Sequence, residues 1–139
     1  MLKKAILIVV GVCCGSVQAF AETRGEEAIR LSKLTLSAIE CSILAGDGNE
    51  SQRLGEVGIA AGKKFLELIP KLNAEEQKSS KEHIAILWRG MSGYNSDFVM
   101  GRVWQGMVTI TYRSLGDDTK QWERDKRTKY LDKNCMIIR

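Results

Sequence analysis

Between positions 26 and 45 apolar side chains return every three or four residues. Leu31, Leu34, Ala38, Cys41 and Ala45 share one face of a helix, and Leu36, Ile39 and Ile43 widen it, so the segment is expected to be a largely buried helix. Gly46-Asp47-Gly48-Asn49 stops it, because glycine and Asn/Asp supply the turn conformations that end helices. A second stripe of Leu54, Val57, Gly58, Ala61, Phe65 and Leu68 predicts a helix over 50–69, closed by Pro70. Gly55, Gly58 and Gly62 each cost roughly 1 kcal/mol relative to alanine inside a helix, which points to close approach of another backbone. A glycine-rich phosphate loop is the functional alternative, and neither the spacing nor a preceding strand supports it.

Asn73 with Glu76 three residues later forms a capping-box pattern for a third helix over 74–88. Its first half is polar, and Ile84, Leu87 and Trp88 form its buried end. Arg89-Gly90-Met91-Ser92-Gly93-Tyr94-Asn95 reads as a loop. The segment 96–115 has two readings. Phe98, Val99, Met100, Val103, Trp104, Met107, Val108 and Ile110 suit a buried helix capped by Ser96 or Asn95, while Val108, Ile110 and Tyr112 alternate as in a strand. One helix is expected, since a lone strand has no partner elsewhere in the chain. The charged segment 119–133, preceded by Asp117 and Asp118 as capping candidates, predicts a surface helix touching the core through Trp122, Tyr130 and Leu131. Met136, Ile137 and Ile138 are expected to pack as a tail. The pattern therefore predicts an all-α bundle of four or five helices.

The start of the chain changes how the composition counts. Lys3 and Lys4 precede an apolar run over 5–12, and Ala19 and Ala21 form a small-x-small cleavage pattern, as in a secretory leader spanning 1–21. The apolar run is well short of the roughly 20 residues of a membrane span. A lipoprotein signal fits poorly, because Val12 and Cys13 are the residues preceding Cys13 and Cys14. Export to the periplasm is expected, leaving one domain over 22–139. Losing Lys3 and Lys4 lowers the formal net charge from +4 to about +2, which gives no warrant for a nucleic-acid partner.

Cys13 and Cys14 leave with the leader, so Cys41 and Cys135 remain. In an oxidising compartment a lone pair in a small domain is most simply one disulfide. A reactive thiol pair is the alternative, without a C-x-x-C spacing to support it.

Candidate chemistry is sparse. His83 is the single histidine and lies on a polar stretch, where a solvated surface position is the simplest reading. Glu40 and Asp97 are the acids embedded in the most apolar segments. They are candidates for buried polar residues together with Arg102, and a carboxylate-dependent hydrolase is the catalytic reading they would allow. Capping, or pairing with a base such as Arg102, is the structural alternative. Asn49-Glu50-Ser51 is a formal glycosylation sequon, relevant only to a eukaryotic secretory pathway. No cofactor or metal is expected. Trp88, Arg89, Met91 and Tyr94 share one glycine-bearing loop and belong to the residue types enriched at protein interfaces; anchoring of Trp88 and Tyr94 in the core is the competing role.

Ser37-Ala38-Ile39-Glu40-Cys41-Ser42-Ile43-Leu44-Ala45, Gly58-Ile59-Ala60-Ala61-Gly62-Lys63-Lys64-Phe65, Asp97-Phe98-Val99-Met100-Gly101-Arg102 and the closing Asn134-Cys135 together resemble small exported proteins of Gram-negative bacteria. More distantly, the layout is similar to helical periplasmic immunity proteins that neutralise type VI amidase effectors, with a leader, a cysteine in the first helix and another near the end. The likeness is architectural and transfers no functional residue. The expectation is a monomeric or dimeric periplasmic module that binds another protein, as an inhibitor or immunity protein against a cell-wall hydrolase. An envelope structural or assembly factor is the second reading, and the hydrolase the third.

Overall fold

The computed structural model describes residues 22–91 and 93–139; the leader expected over 1–21 lies outside the described residues. Five α-helices follow one another: α1 (Arg24–Ala45), α2 (Asn49–Leu68), α3 (Ala74–Lys81), α4 (Ser96–Ser114) and α5 (Trp122–Asp132). Short 3-10 turns occupy Ile69–Lys71, Ile86–Trp88 and Cys135–Ile137, and there is no strand among the described residues. The expected all-α bundle is the fold.

α1 is the central helix. It packs against each of the other four, most extensively against α2. It begins two residues before the expected position because Thr23 closes a capping box: the Glu26 amide donates to the Thr23 hydroxyl and the Glu26 carboxylate accepts from the Thr23 amide at 2.8 Å. At its other end Gly46, at φ 75°, takes the turn that a side chain would resist. α2 lies close along α1 at its glycines. A Cβ on Gly58 would stand 2.9 Å from Ile39 Cγ1 and 3.2 Å from the Thr35 carbonyl oxygen, so the helix backbones meet where only hydrogen fits. One on Gly62 would collide with the Met100 thioether of α4.

The Asn73–Glu76 capping box forms as predicted, with both reciprocal bonds at 2.9 Å. The helix it starts does not reach Trp88, however. It ends at Lys81, where the Ser80 carbonyl accepts from both His83 and Ile84. Ser80 is its one buried residue, so little apolar contact holds a longer helix in place. The break turns the chain and seats Trp88 against Phe65 at 4.6 Å between ring centres.

α4 resolves the ambiguous segment. Val99, Met100, Val103, Met107 and Thr111 are its buried positions, at helical spacing, while the alternating Val108, Ile110 and Tyr112 are only partly covered. Asn95 is the cap, its side chain accepting from the Asp97 amide at 2.8 Å. The main core joins residues of α1, α2 and α4 with Leu72 and Trp88.

A second small core surrounds the Cys41–Cys135 disulfide, which bridges α1 and the final 3-10 turn with Cα atoms 5.5 Å apart. Leu54, Ala45, Tyr130 and Ile138 close around it. The tail is held by hydrogen bonds as well. Tyr130 donates its hydroxyl to Glu50 at 2.7 Å, Arg53 forms a two-pronged pair with Glu50 and donates to the Ile138 carbonyl, and Lys133 reaches Glu40 at 3.0 Å. Of the expected tail contacts Ile138 packs, whereas Met136 and Ile137 are exposed, since the 3-10 turn directs successive side chains to different sides. α5 starts at Trp122, whose indole donates to the Gly116 carbonyl and whose ring lies 5.0 Å from Tyr112. Leu131, expected to touch the core, is half exposed.

Candidate protein-binding surface

The loop after the Ile86–Trp88 turn and the first turns of α4 form one surface. Arg89, Gly90, Met91, Tyr94, Phe98 and Arg102 surround a depression of about 230 Å³. Tyr94 and Phe98 pack against each other in a tilted arrangement, 5.2 Å between ring centres, while remaining 62% and 54% exposed. Two aromatic rings that cover each other yet stay open to water leave an apolar ridge whose complete burial needs another surface.

Local structure fixes this ridge. Asn95 caps α4 and so sets the direction in which Tyr94 enters it, and Gly90 and Gly93, at φ 76° and 85°, shape the loop. Lys63 of α2 holds Asp97 at 2.8 Å, tying the first turn of α4 to its neighbour. Phe98 falls outside the buried stripe of Val99, Met100 and Val103, so the helix that buries those residues presents it outward. Arg89 and Arg102 flank the rings, both exposed and neither in an ion pair among the described residues. No acid lines the depression, and Asp97 beside it is matched by Lys63, so the surface is aromatic and positively charged.

The residues singled out in the sequence divide accordingly. Arg89, Met91 and Tyr94 come together here. Trp88 does not: it is 7% exposed and belongs to the core, with its indole nitrogen lacking a hydrogen-bond acceptor. Arg102 joins the surface although it was expected to be buried. Asp97 is likewise corrected, its side chain being 75% exposed and paired with Lys63 rather than Arg102. Both lie on turns of α4 that face away from its buried stripe. Glu40 is half-buried, with 20% of its side chain exposed, and it pairs with Lys133. The two carboxylates thus occupy separate ion pairs, with different lysines. Phe98 is the residue the sequence reading misplaced, as part of a buried helix. The signal was present, because the chain positions one turn on from Phe98, Gly101 and Arg102, carry no apolar side chain. His83 is exposed, and no group of three His, Cys, Asp or Glu side chains among the described residues is placed to hold a metal ion. No helix among them is long and apolar enough to cross a membrane.

Comparison with models of protein families, with curated proteins and with solved structures finds no match.

Proposed function

We propose that this protein is an exported, periplasmic binding module that recognises another protein through the Tyr94–Phe98 ridge and its two flanking arginines, and acts as an inhibitor or immunity factor of a cell-wall hydrolase. The observation that carries the reading is the exposed, mutually packed aromatic pair beside Arg89 and Arg102. Aromatic and arginine side chains supply most of the energy at protein interfaces, the rings by area and the guanidinium by planar pairing with carboxylates. The partner's contact surface is therefore acidic around an apolar hollow. Export is supported by the leader pattern in the sequence and by the long-range disulfide, which suits an oxidising compartment.

The test is capture of partners from a periplasmic extract with the purified protein, followed by a cell-wall hydrolysis assay. The expected outcome is a stoichiometric complex with a hydrolase whose activity falls in proportion to the protein added. Recovery of envelope assembly machinery with no effect on hydrolysis would replace the inhibitor reading by that of an assembly factor.

A further inference from the structure

A second pocket, adjoining the ridge surface and sharing Arg89, Gly90 and Met91 with it, opens where the end of α2 and the following 3-10 turn meet α3 and the segment 84–91. It has a volume of about 540 Å³, in the size range of small-molecule sites, which runs from about 300 to 1,000 Å³. Its walls are apolar: Phe65, Leu66, Ile69, Ile84, Trp88 and Met91 contribute most of them. Two charged side chains line it, Lys81 and Arg89; both are cationic and exposed, and no acid accompanies them. Neither is engaged in an ion pair or side-chain hydrogen bond among the described residues. Of the other polar side chains in the lining, Gln77 donates to the Leu72 carbonyl at 2.9 Å and Ser80 to the Gln77 carbonyl at 3.4 Å, while the Trp88 indole N–H has no acceptor.

We infer that this pocket binds a single-chain amphiphile with an anionic headgroup, of the medium-chain fatty-acid class, its alkyl chain against Phe65, Ile84 and Trp88 and its carboxylate between Lys81 and Arg89. An alkyl chain matches walls that offer almost no free hydrogen-bonding group. A terminal anion matches a lining whose only charges are positive. A neutral lipid leaves both cations unmatched, and a small polar anion leaves the apolar walls uncovered.

Calorimetric titration of the purified protein with decanoate, kept below the concentration at which it forms micelles, tests this, with decanol and acetate as comparison probes. Decanoate is expected to bind saturably at one site, about tenfold more tightly than decanol, with acetate giving no measurable binding. Reversing both charges (K81E with R89E), at exposed positions, is expected to weaken decanoate binding by more than about tenfold, to below the affinity of decanol, because two carboxylates then repel the ligand's own. Filling the pocket with Ile84→Trp is expected to abolish binding while the helical circular dichroism is retained. Absence of decanoate binding, equal affinity for decanoate and decanol, or unchanged binding by the charge-reversed protein would each overturn the inference. Because Tyr94, Phe98 and Arg102 lie outside this pocket, Phe98→Ala leaves decanoate binding intact even where it abolishes protein capture, so the two proposals fail independently.

Discussion

Single side chains set the balance around the tail. The Glu50 carboxyl is lowered to about 2, first by the hydrogen bonds from Arg53 and then by that from the Tyr130 hydroxyl. A folded value below the unfolded one of about 4.3 means that folding favours the carboxylate; this contribution is complete above about pH 4.3 and is lost as the pH falls through about 2. Because Glu50 is open to solvent the effect is screened and modest. Urea unfolding of wild type and Glu50→Gln is therefore expected to show a stability gap at neutral pH that closes as the pH falls towards about 2. A gap that stays constant with pH would show that the Glu50 network does not hold the tail. Nothing in the sequence announced this network, since Glu50 and Tyr130 are 80 positions apart and only the folded chain brings them together.

At the level of the helices, the glycines of α2 give the sharpest expectation. Alanine is favoured over glycine by about 1 kcal/mol in a helix interior. Gly101 of α4 has open space where a Cβ would stand, so Gly101→Ala is expected to stabilise the protein by up to about that amount. At Gly58 the added carbon meets the Ile39 side chain and the Thr35 backbone, which cannot yield without parting α1 from α2. Gly58→Ala is accordingly expected to destabilise by about 1 to 3 kcal/mol despite the gain in helix propensity. Thermal or urea unfolding compares the two, and stabilisation by Gly58→Ala would contradict the close approach. The five helices were largely legible from the periodicity of apolar residues, and the role of the α2 glycines from their helical spacing. The early end of α3 was not. Ile84, Leu87 and Trp88 suit the end of a continuous helix as well as they suit a turn, and the choice was made by Trp88 reaching Phe65 across the fold.

For the molecule as a whole, the disulfide joins positions 94 apart, so cross-linking removes much of the freedom of the unfolded chain. The chain-entropy relation gives about 4 to 5 kcal/mol as an upper figure for a loop of this size. The double variant Cys41→Ser with Cys135→Ser is expected to unfold at markedly lower urea concentration, by several kcal/mol; an unchanged midpoint would contradict that role. The pairing itself followed from counting cysteines with those of the expected leader set aside. The candidate surface was legible only in part: residue type picked out Arg89, Met91 and Tyr94, but exposure decides function, and exposure of Phe98 and Arg102 against burial of Trp88 follows from how α4 and the 86–88 turn are packed. The most direct test of the proposed function compares partner capture from periplasmic extract by wild type, by Phe98→Ala with Arg102→Glu, and by Ile137→Ser, a variant at an exposed apolar residue outside this surface. One stoichiometric partner is expected to be retained by wild type and Ile137→Ser, with at least about tenfold less of it on the ridge variant. Equal capture by all three proteins would contradict the proposed function.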